Sequence, residues 1–224
     1  MDPIIRMQKV VKTYAAASGD FTALKDINLD VQQGELLGII GKSGAGKTTL
    51  INMLTGVDHL NSGEVWVDNT PIHKLNEDQL VSWRGRKLGI IYQSFFLMPT
   101  LTLLQNVLMP MDFCGLYQGR ASVERAMQLL RQVEMEEHAH KLPAHISGGQ
   151  SQRAAIARAL ANDPAIIVAD EPTGRLDSIT AETIFKVFVQ LANQGKTIVM
   201  VTHDQSLSRR MSRVVRIVDG ELSP

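Results

Sequence analysis

No sign of charge prevails in this sequence. Its 23 lysines and arginines meet 23 aspartates and glutamates over 224 residues, so no field draws in nucleic acid or an anionic membrane, and nothing proposes nucleic acid as a partner. Cysteine occurs once, at Cys114, which excludes an internal disulfide and fits a reducing compartment. Apolar runs long enough to cross a bilayer, about 20 residues, are absent. The nearest stretch, Phe95 to Met111, is broken by Pro99, Gln105, Asn106 and Pro110. The first residues, Met1-Asp2-Pro3-Ile4, lack the basic and long apolar regions of a signal peptide. No internal repeat or low-complexity segment is present. What remains, 44% hydrophobic and 21% charged, is the balance of a soluble globular protein with a core of its own. The expected setting is the cytosol, and any work at a membrane needs another chain to supply the membrane part.

One stretch organises the rest: Gly41-Lys42-Ser43-Gly44-Ala45-Gly46-Lys47-Thr48 fits G-x-x-x-x-G-K-[ST], a phosphate-binding loop. Residues 35–40 before it read as a buried strand, and Lys47 to Leu54 after it as a helix. Strand, glycine-rich turn and helix are the context in which the motif holds phosphate: backbone N–H groups point inward and the helix start adds free donors. Lys47 reaches the β- and γ-phosphates, and the Thr48 hydroxyl can ligate Mg²⁺. The alternative is a glycine-rich turn with a chance lysine.

Around this loop, 4–12 and 23–31 read as strands, the second from the alternation of Ile27, Leu29 and Val31 with polar residues. A small-residue turn, Tyr14 to Asp20, joins them. Glu64 to Val67 enters a hairpin closed by Asp68-Asn69. Asn76 with Gln79 caps a helix to about Arg86, and Leu88 to Tyr92 is a further strand. From Gln93 the pattern turns helical: Thr102 and Gln105 form a capping box, 121–136 is a second helix, and a third starts near Ser147 and stops at Asp163-Pro164. Residues 93–155 are therefore expected to form a helical lobe inserted into an α/β core of 1–92 and 156–224. The runs 165–169, 197–201 and 214–218 read as strands, with a helix over 178–192 capped by Ser178 and ended by Gly195. Such alternation predicts a parallel sheet with helices on both faces.

Ligands of such sheets sit beyond the carboxyl ends of the strands. Asp170 and Glu171 follow strand 165–169, where one carboxylate can hold Mg²⁺ and its neighbour polarise a water. Taken alone, they could equally cap the next segment. His203 follows strand 197–201, within reach of a γ-phosphate, although a lone histidine is commonly incidental. Gln93 ends strand 88–92 and could contact Mg²⁺ or the attacking water, or be a plain surface glutamine. Ser147-Gly148-Gly149-Gln150 opens a helix and is either a simple cap or a second anion site. One nucleotide held by 41–48 has no need of that second loop from the same chain, which suggests two chains packed head-to-tail around it.

With these motifs in this order, the chain resembles the nucleotide-binding subunits of ATP-binding cassette (ABC) transporters over nearly its whole length. The resemblance implies an α/β P-loop NTPase (RecA-like) core with an N-terminal antiparallel β subdomain and an inserted helical subdomain. It implies ATP and Mg²⁺ as ligands and a homodimer with nucleotide at the interface. By resemblance Lys47, Gln93, Glu171 and His203 are catalytic, with Glu171 the general base; Thr48, Gln93 and Asp170 hold the metal. Thr49 joins the loop in binding nucleotide, Tyr14 stacks on adenine, Ser147 and Gly149 act on the γ-phosphate held by the opposite protomer, and Gly148, Gln150 and Asp177 also bind nucleotide. Residues 88–93, 101–107, 169–174 and 201–204 are similar to the macrolide-exporter and lipoprotein-release (MacB/LolD-like) group. Four positions depart from its pattern: Arg175 stands for asparagine, Ile146 for leucine, Ser151 for glutamine and Gln105 for glutamate.

The resulting expectation is an ATPase at the cytoplasmic face of a bacterial-type membrane, driving a separate transmembrane permease, with a periplasmic or extracellular adaptor as a further partner. Its rivals are an importer subunit for small solutes and an FtsE-like regulatory ATPase. Soluble ABC proteins of DNA repair or translation fit less well, since this chain has neither two cassettes nor a long coiled coil.

Overall fold

The computed structural model describes residues 2–15 and 19–223; positions 16–18 of the turn expected over Tyr14 to Asp20 lie outside them. The chain opens with strands β1 (Ile5–Tyr14), β2 (Phe21–Val31) and β3 (Leu36–Ile40), helix α1 (Lys47–Thr55), and strands β4 (Ser62–Val67) and β5 (Thr70–Pro71). Helix α2 (Glu77–Lys87) and strand β6 (Leu88–Ile91) follow, then the helical stretch α3 (Leu103–Phe113), α4 (Arg120–Gln132) and α5 (Gly148–Ala159). The chain closes with β7 (Ile166–Asp170), α6 (Ser178–Asn193), β8 (Thr197–Thr202), α7 (Gln205–Ser208), β9 (Arg213–Val218) and β10 (Glu221–Ser223).

Strands apolar on both faces need cover on both sides. Accordingly β3, β8 and β7 lie inside a six-stranded sheet of order β10-β9-β3-β8-β7-β6, parallel except for β10. Side chains alternate across it. Ile167, Ala169, Ile198 and Met200 join one core with α3 to α6, while Ile166, Val168, Val199 and Val201 join the other. Helices lie on both faces as expected, but the second core is not covered by helices alone. It is closed by α1, by Leu80 and Trp83 of α2, and by a four-stranded antiparallel sheet of order β2-β1-β4-β5. The single buried face of β1 and β2 packs here, with Ile5, Met7, Ile27 and Leu29 inside.

Two helix limits also differ from the sequence expectation. Helix α4 stops at Gln132 rather than 136, because Glu134 turns left-handed (φ 57°) and the Met135 N–H reaches back to the Leu130 carbonyl at 2.7 Å. Both Met135 and Leu130 are buried in the same core, as commonly accompanies this kind of helix end. Helix α6 is capped by Asp177 rather than Ser178: the Asp177 carboxylate accepts from the N–H groups of Ile179 and Thr180.

Helix α5 packs on α3 and α4 and runs past 155 to Ala159, where it meets β6. Gly89 of β6 permits this, since a Cβ there would lie 2.6 Å from the Ala159 carbonyl oxygen. The loop between β6 and α3 is held from both sides. Arg158 of α5 donates to the Phe95 carbonyl at 2.8 Å, and the fully buried Asn106 amide donates to the carbonyls of Met98, Leu101 and Thr102 while accepting from the Met98 N–H.

Removing that amide leaves several loop groups without partners. Asn106→Ala is expected to lower unfolding free energy by about 2–3 kcal/mol, read by urea denaturation. A loss below the error of that measurement would show that the loop does not depend on Asn106.

Candidate active site

The carboxyl ends of β3, β6, β7 and β8 open into one cleft of about 590 Å³. It gathers Tyr14, Ser43, Gly44, Gly46, Lys47, Thr48, Thr49, Gln93, Asp170, Glu171 and His203, and adds Phe21 and Ala23 beside Tyr14. Residues separated by more than a hundred positions meet here because a parallel sheet places successive strand ends side by side. Gly41, Lys42 and Ala45 form the far wall of the loop, lining a second hollow with Arg216 and Asp219.

The loop's shape rests on glycine. Gly46 sits at φ 107°, and a Cβ there would meet the Ala23 carbonyl oxygen at 2.6 Å. Helices α2, α3, α5 and α6 start with a side chain accepting from their leading amides: Asn76, Thr102, Ser147 and Asp177. Helix α1 starts at Gly46 with no side-chain cap and no acidic residue in its first turn. Its leading N–H groups and positive dipole end are therefore left for an anion. Lys47 is buried beside them, its ammonium donating to the carbonyls of Gly41 and Lys42 at 3.0 Å each and lying 3.8 Å from Glu171 Oε1. A buried cation next to an uncapped helix start is the donor set that a polyphosphate requires.

Oxygen donors stand opposite. The Thr48 hydroxyl donates to Asp170 Oδ2 at 3.1 Å, and Gln93 lines the same cleft. Among the described residues no cluster of three or more His, Cys, Asp or Glu side chains could cage a metal ion, so a hard cation here would share its shell with phosphate oxygens and water. Burial pushes the Asp170 carboxyl above the usual carboxylate range; the Glu171 charge adds to this, while the Thr48 hydrogen bond and Lys47 oppose it. Glu171 adopts a left-handed backbone (φ 46°), uncommon for a residue of its kind. It is held there by its N–H on the Val201 carbonyl at 2.9 Å and by the turn from Gly174 N–H to its own carbonyl. Its Oε2 lies 3.0 Å from His203 Nδ1.

The remaining expected residues lie elsewhere. Ser147 and Gln150 close a reciprocal capping box at the start of α5, and the Gln150 amide nitrogen also lies 2.8 Å from His138 Nε2. A Cβ on Gly149 would meet Thr180 Cγ2 at 2.5 Å, so the start of α5 adjoins the Asp177 turn. Neither Ser147 to Gln150 nor Asp177 lines the cleft of its own chain. Three of the four departures have local explanations. Gln105 completes the Thr102 capping box as a glutamate would, Ser151 donates to the Ser147 carbonyl at 3.0 Å, and Ile146 packs against the helical core. Arg175 is exposed. Sequence reasoning missed Phe21 and Ala23, which line the cleft from β2, the strand paired with that of Tyr14.

The ABC transporter family profile matches residues 24–174. An uncharacterized ABC transporter ATP-binding protein of Methanocaldococcus jannaschii, MJ0796, is 43% identical over 223 residues, 98% of this chain and 95% of that protein. The lipoprotein-releasing system ATP-binding protein LolD of Francisella tularensis is 40% identical over 222 residues, 99% of this chain and 96% of LolD. The macrolide export ATP-binding/permease protein MacB of Syntrophobacter fumaroxidans is 41% identical over 99% of this chain, which spans 31% of that longer protein. In three dimensions, a dimeric post-hydrolysis state of MJ0796 bound to ADP and Pi superposes with a TM-score of 0.92 at 41% identity, covering 98% of this chain and 97% of that one.

The raised Asp170 carboxyl sets a stability prediction. Between its unfolded and raised folded values the folded state holds more protons. The cost of its charge is therefore absent below the unfolded value, grows as pH rises through that window and is full above it. Asp170→Asn, which keeps an acceptor for Thr48, is expected to raise the Tm of the nucleotide-free chain by about 2–4 °C at pH 8, with the gain shrinking toward pH 4. An equal or lower Tm at pH 8 by scanning calorimetry would contradict a burial cost.

Proposed function

We propose, because the chain belongs to the ABC transporter family as one of its ATP-binding cassettes, that it hydrolyses ATP as a head-to-tail homodimer and drives a separate membrane permease. The observation that carries this reading is the division of the site. One chain gathers the phosphate loop, Gln93, Asp170, Glu171 and His203 in a single cleft, yet leaves Ser147 to Gln150 and Asp177 outside it. A second copy facing the first would bring those residues over the phosphates, consistent with the dimeric form of MJ0796.

In this reading the amides at the start of α1 and the Lys47 ammonium hold the β- and γ-phosphates. Lys47 now rests on two loop carbonyls and on Glu171, so arriving phosphate replaces weak partners with strong ones and leaves Glu171 free to act on water. Glu171 orients that water and accepts its proton, and His203, 3.0 Å from its carboxylate, assists at the γ-phosphate. Thr48, Gln93 and Asp170 would hold Mg²⁺, which when bound neutralises charge on the phosphate oxygens. Ser147 and Gly149 of the opposite protomer would complete the shell.

Among the described residues no helix is long and apolar enough to cross a membrane. Association with the cytoplasmic face through a permease of the lipoprotein-release or macrolide-export kind fits the similarity to LolD and MacB. The exposed Phe96, Met98 and Phe113 of the helical lobe suit such a contact.

The test is ATP turnover of the chain with and without such a permease. Turnover is expected to rise with the permease and vanish in Lys47→Ala. Glu171→Gln is expected to bind ATP, run as a dimer on size exclusion and lose about 10²–10⁴-fold in turnover. Normal turnover in Glu171→Gln would remove the general base from this mechanism.

A further inference from the structure

Lys12 is a buried cation to which the phosphate chemistry gives no task. It is 9% exposed on β1, and its ammonium donates to Asp58 Oδ1 at 2.8 Å and to the His59 carbonyl at 2.6 Å. The same ammonium lies 4.8 Å from the centroid of the Tyr14 ring. Asp58 uses its other oxygen to accept from the Tyr14 hydroxyl at 2.9 Å. Burial pushes the Asp58 carboxyl up, but hydrogen bonds from Lys12, Tyr14 and the His59 N–H outweigh it and hold the group below its ordinary value. Asp58 is therefore ionised at neutral pH and available as an acceptor.

The neighbouring backbone is tied to the same loop. The Thr13 N–H donates to Asn61 Oδ1 at 2.8 Å, and the Asn61 N–H to the Val11 carbonyl at 2.9 Å. Residues 11–14 at the end of β1 are thus joined to 58–61, the loop that follows α1, whose other end carries Lys47 and Thr48. The Tyr14 side chain is held at its tip by the Asp58 carboxylate, and its backbone by pairing with Phe21 and by the Thr13 bond to Asn61.

We propose that Lys12 and Asp58 are positioning residues for the nucleobase, holding Tyr14 at one tilt with one ring face on the Lys12 ammonium and the other open to the purine. This rests on Tyr14 being the base-stacking aromatic of the site. A ring already ordered before the ligand arrives loses no rotamer freedom on binding, and a cation on one face leaves a single face for stacking. Phe21 and Ala23, which share that end of the cleft, supply apolar walls. The triphosphate end does not depend on the clamp.

The two ends can be titrated separately, by calorimetry on the full-length chain with AMP-PNP and with inorganic tripolyphosphate, which has no base. Lys12→Met and Asp58→Asn are each expected to weaken AMP-PNP about 3- to 10-fold and to leave tripolyphosphate within about twofold, with Lys12→Arg restoring most of the loss. The double variant Lys12→Met with Tyr14→Ala is expected to bind AMP-PNP no more weakly than Tyr14→Ala alone. Equal weakening of both ligands, additive losses in the double variant, or unchanged AMP-PNP binding in both Lys12→Met and Asp58→Asn would each overturn the clamp. If Tyr14→Ala itself leaves AMP-PNP binding unchanged, the stacking role of Tyr14 fails, and the clamp with it. If Lys12→Met does not fold, Asp58→Asn decides by the same comparison.

Discussion

The Lys47 ammonium is the group around which this structure is arranged. A cation removed from water must have partners, and here they are two carbonyls of its own loop and, at 3.8 Å, a carboxylate from the far side of the cleft. Glycines let the loop curl closely enough to provide those carbonyls. The central sheet then brings Glu171 to the same point from 124 positions away in the sequence, counted from 47 to 171. No partner in the set is as strong as a phosphate, so the arrangement favours a ligand that replaces them all. The uncapped start of α1 acts in the same direction: five helices begin with an accepting side chain, and α4, which like α1 has none, does not line the cleft.

Much of this was legible in the sequence because it is written locally. Short runs apolar at every position, such as Ile166 to Ala169, read as strands covered on both faces, and the capping pairs Asn76 with Gln79 and Thr102 with Gln105 sit where spacing places them. Adjacent cap formers were harder: Asp177 and Ser178 are both good caps, and only the backbone decides that the first is used. The end of α4 depends on Glu134 turning left-handed, which no glycine announces. The alternation in β2 shows that one face is buried, but not that an antiparallel sheet joins α1 and α2 in covering that side of the core. In the cleft, motif residues could be read from their spacing, whereas Lys12 and Asp58 meet across 46 positions through tertiary structure alone.

Helix α1 joins the two halves of the binding site. Its first turn presents Lys47 and Thr48, and the loop beyond its last turn presents Asp58. With a rise of about 1.5 Å per residue, nine residues make a short and stiff spacer. The same element that presents Lys47 and Thr48 at one end thus leads at its other end into the loop that anchors the Tyr14 ring.

The cap at the start of α5 has a consequence for how two copies would meet. The Ser147 oxygen accepts the Gln150 N–H, while the Gln150 side chain accepts the Ser147 N–H. A hydroxyl can accept and donate at once, so using one lone pair inward leaves the O–H hydrogen available and restricts where it points. The serine is thus aimed before any second subunit arrives, by a bond that need not break when it does. In the proposed head-to-tail dimer, a surface prepared in this way would engage and disengage without refolding.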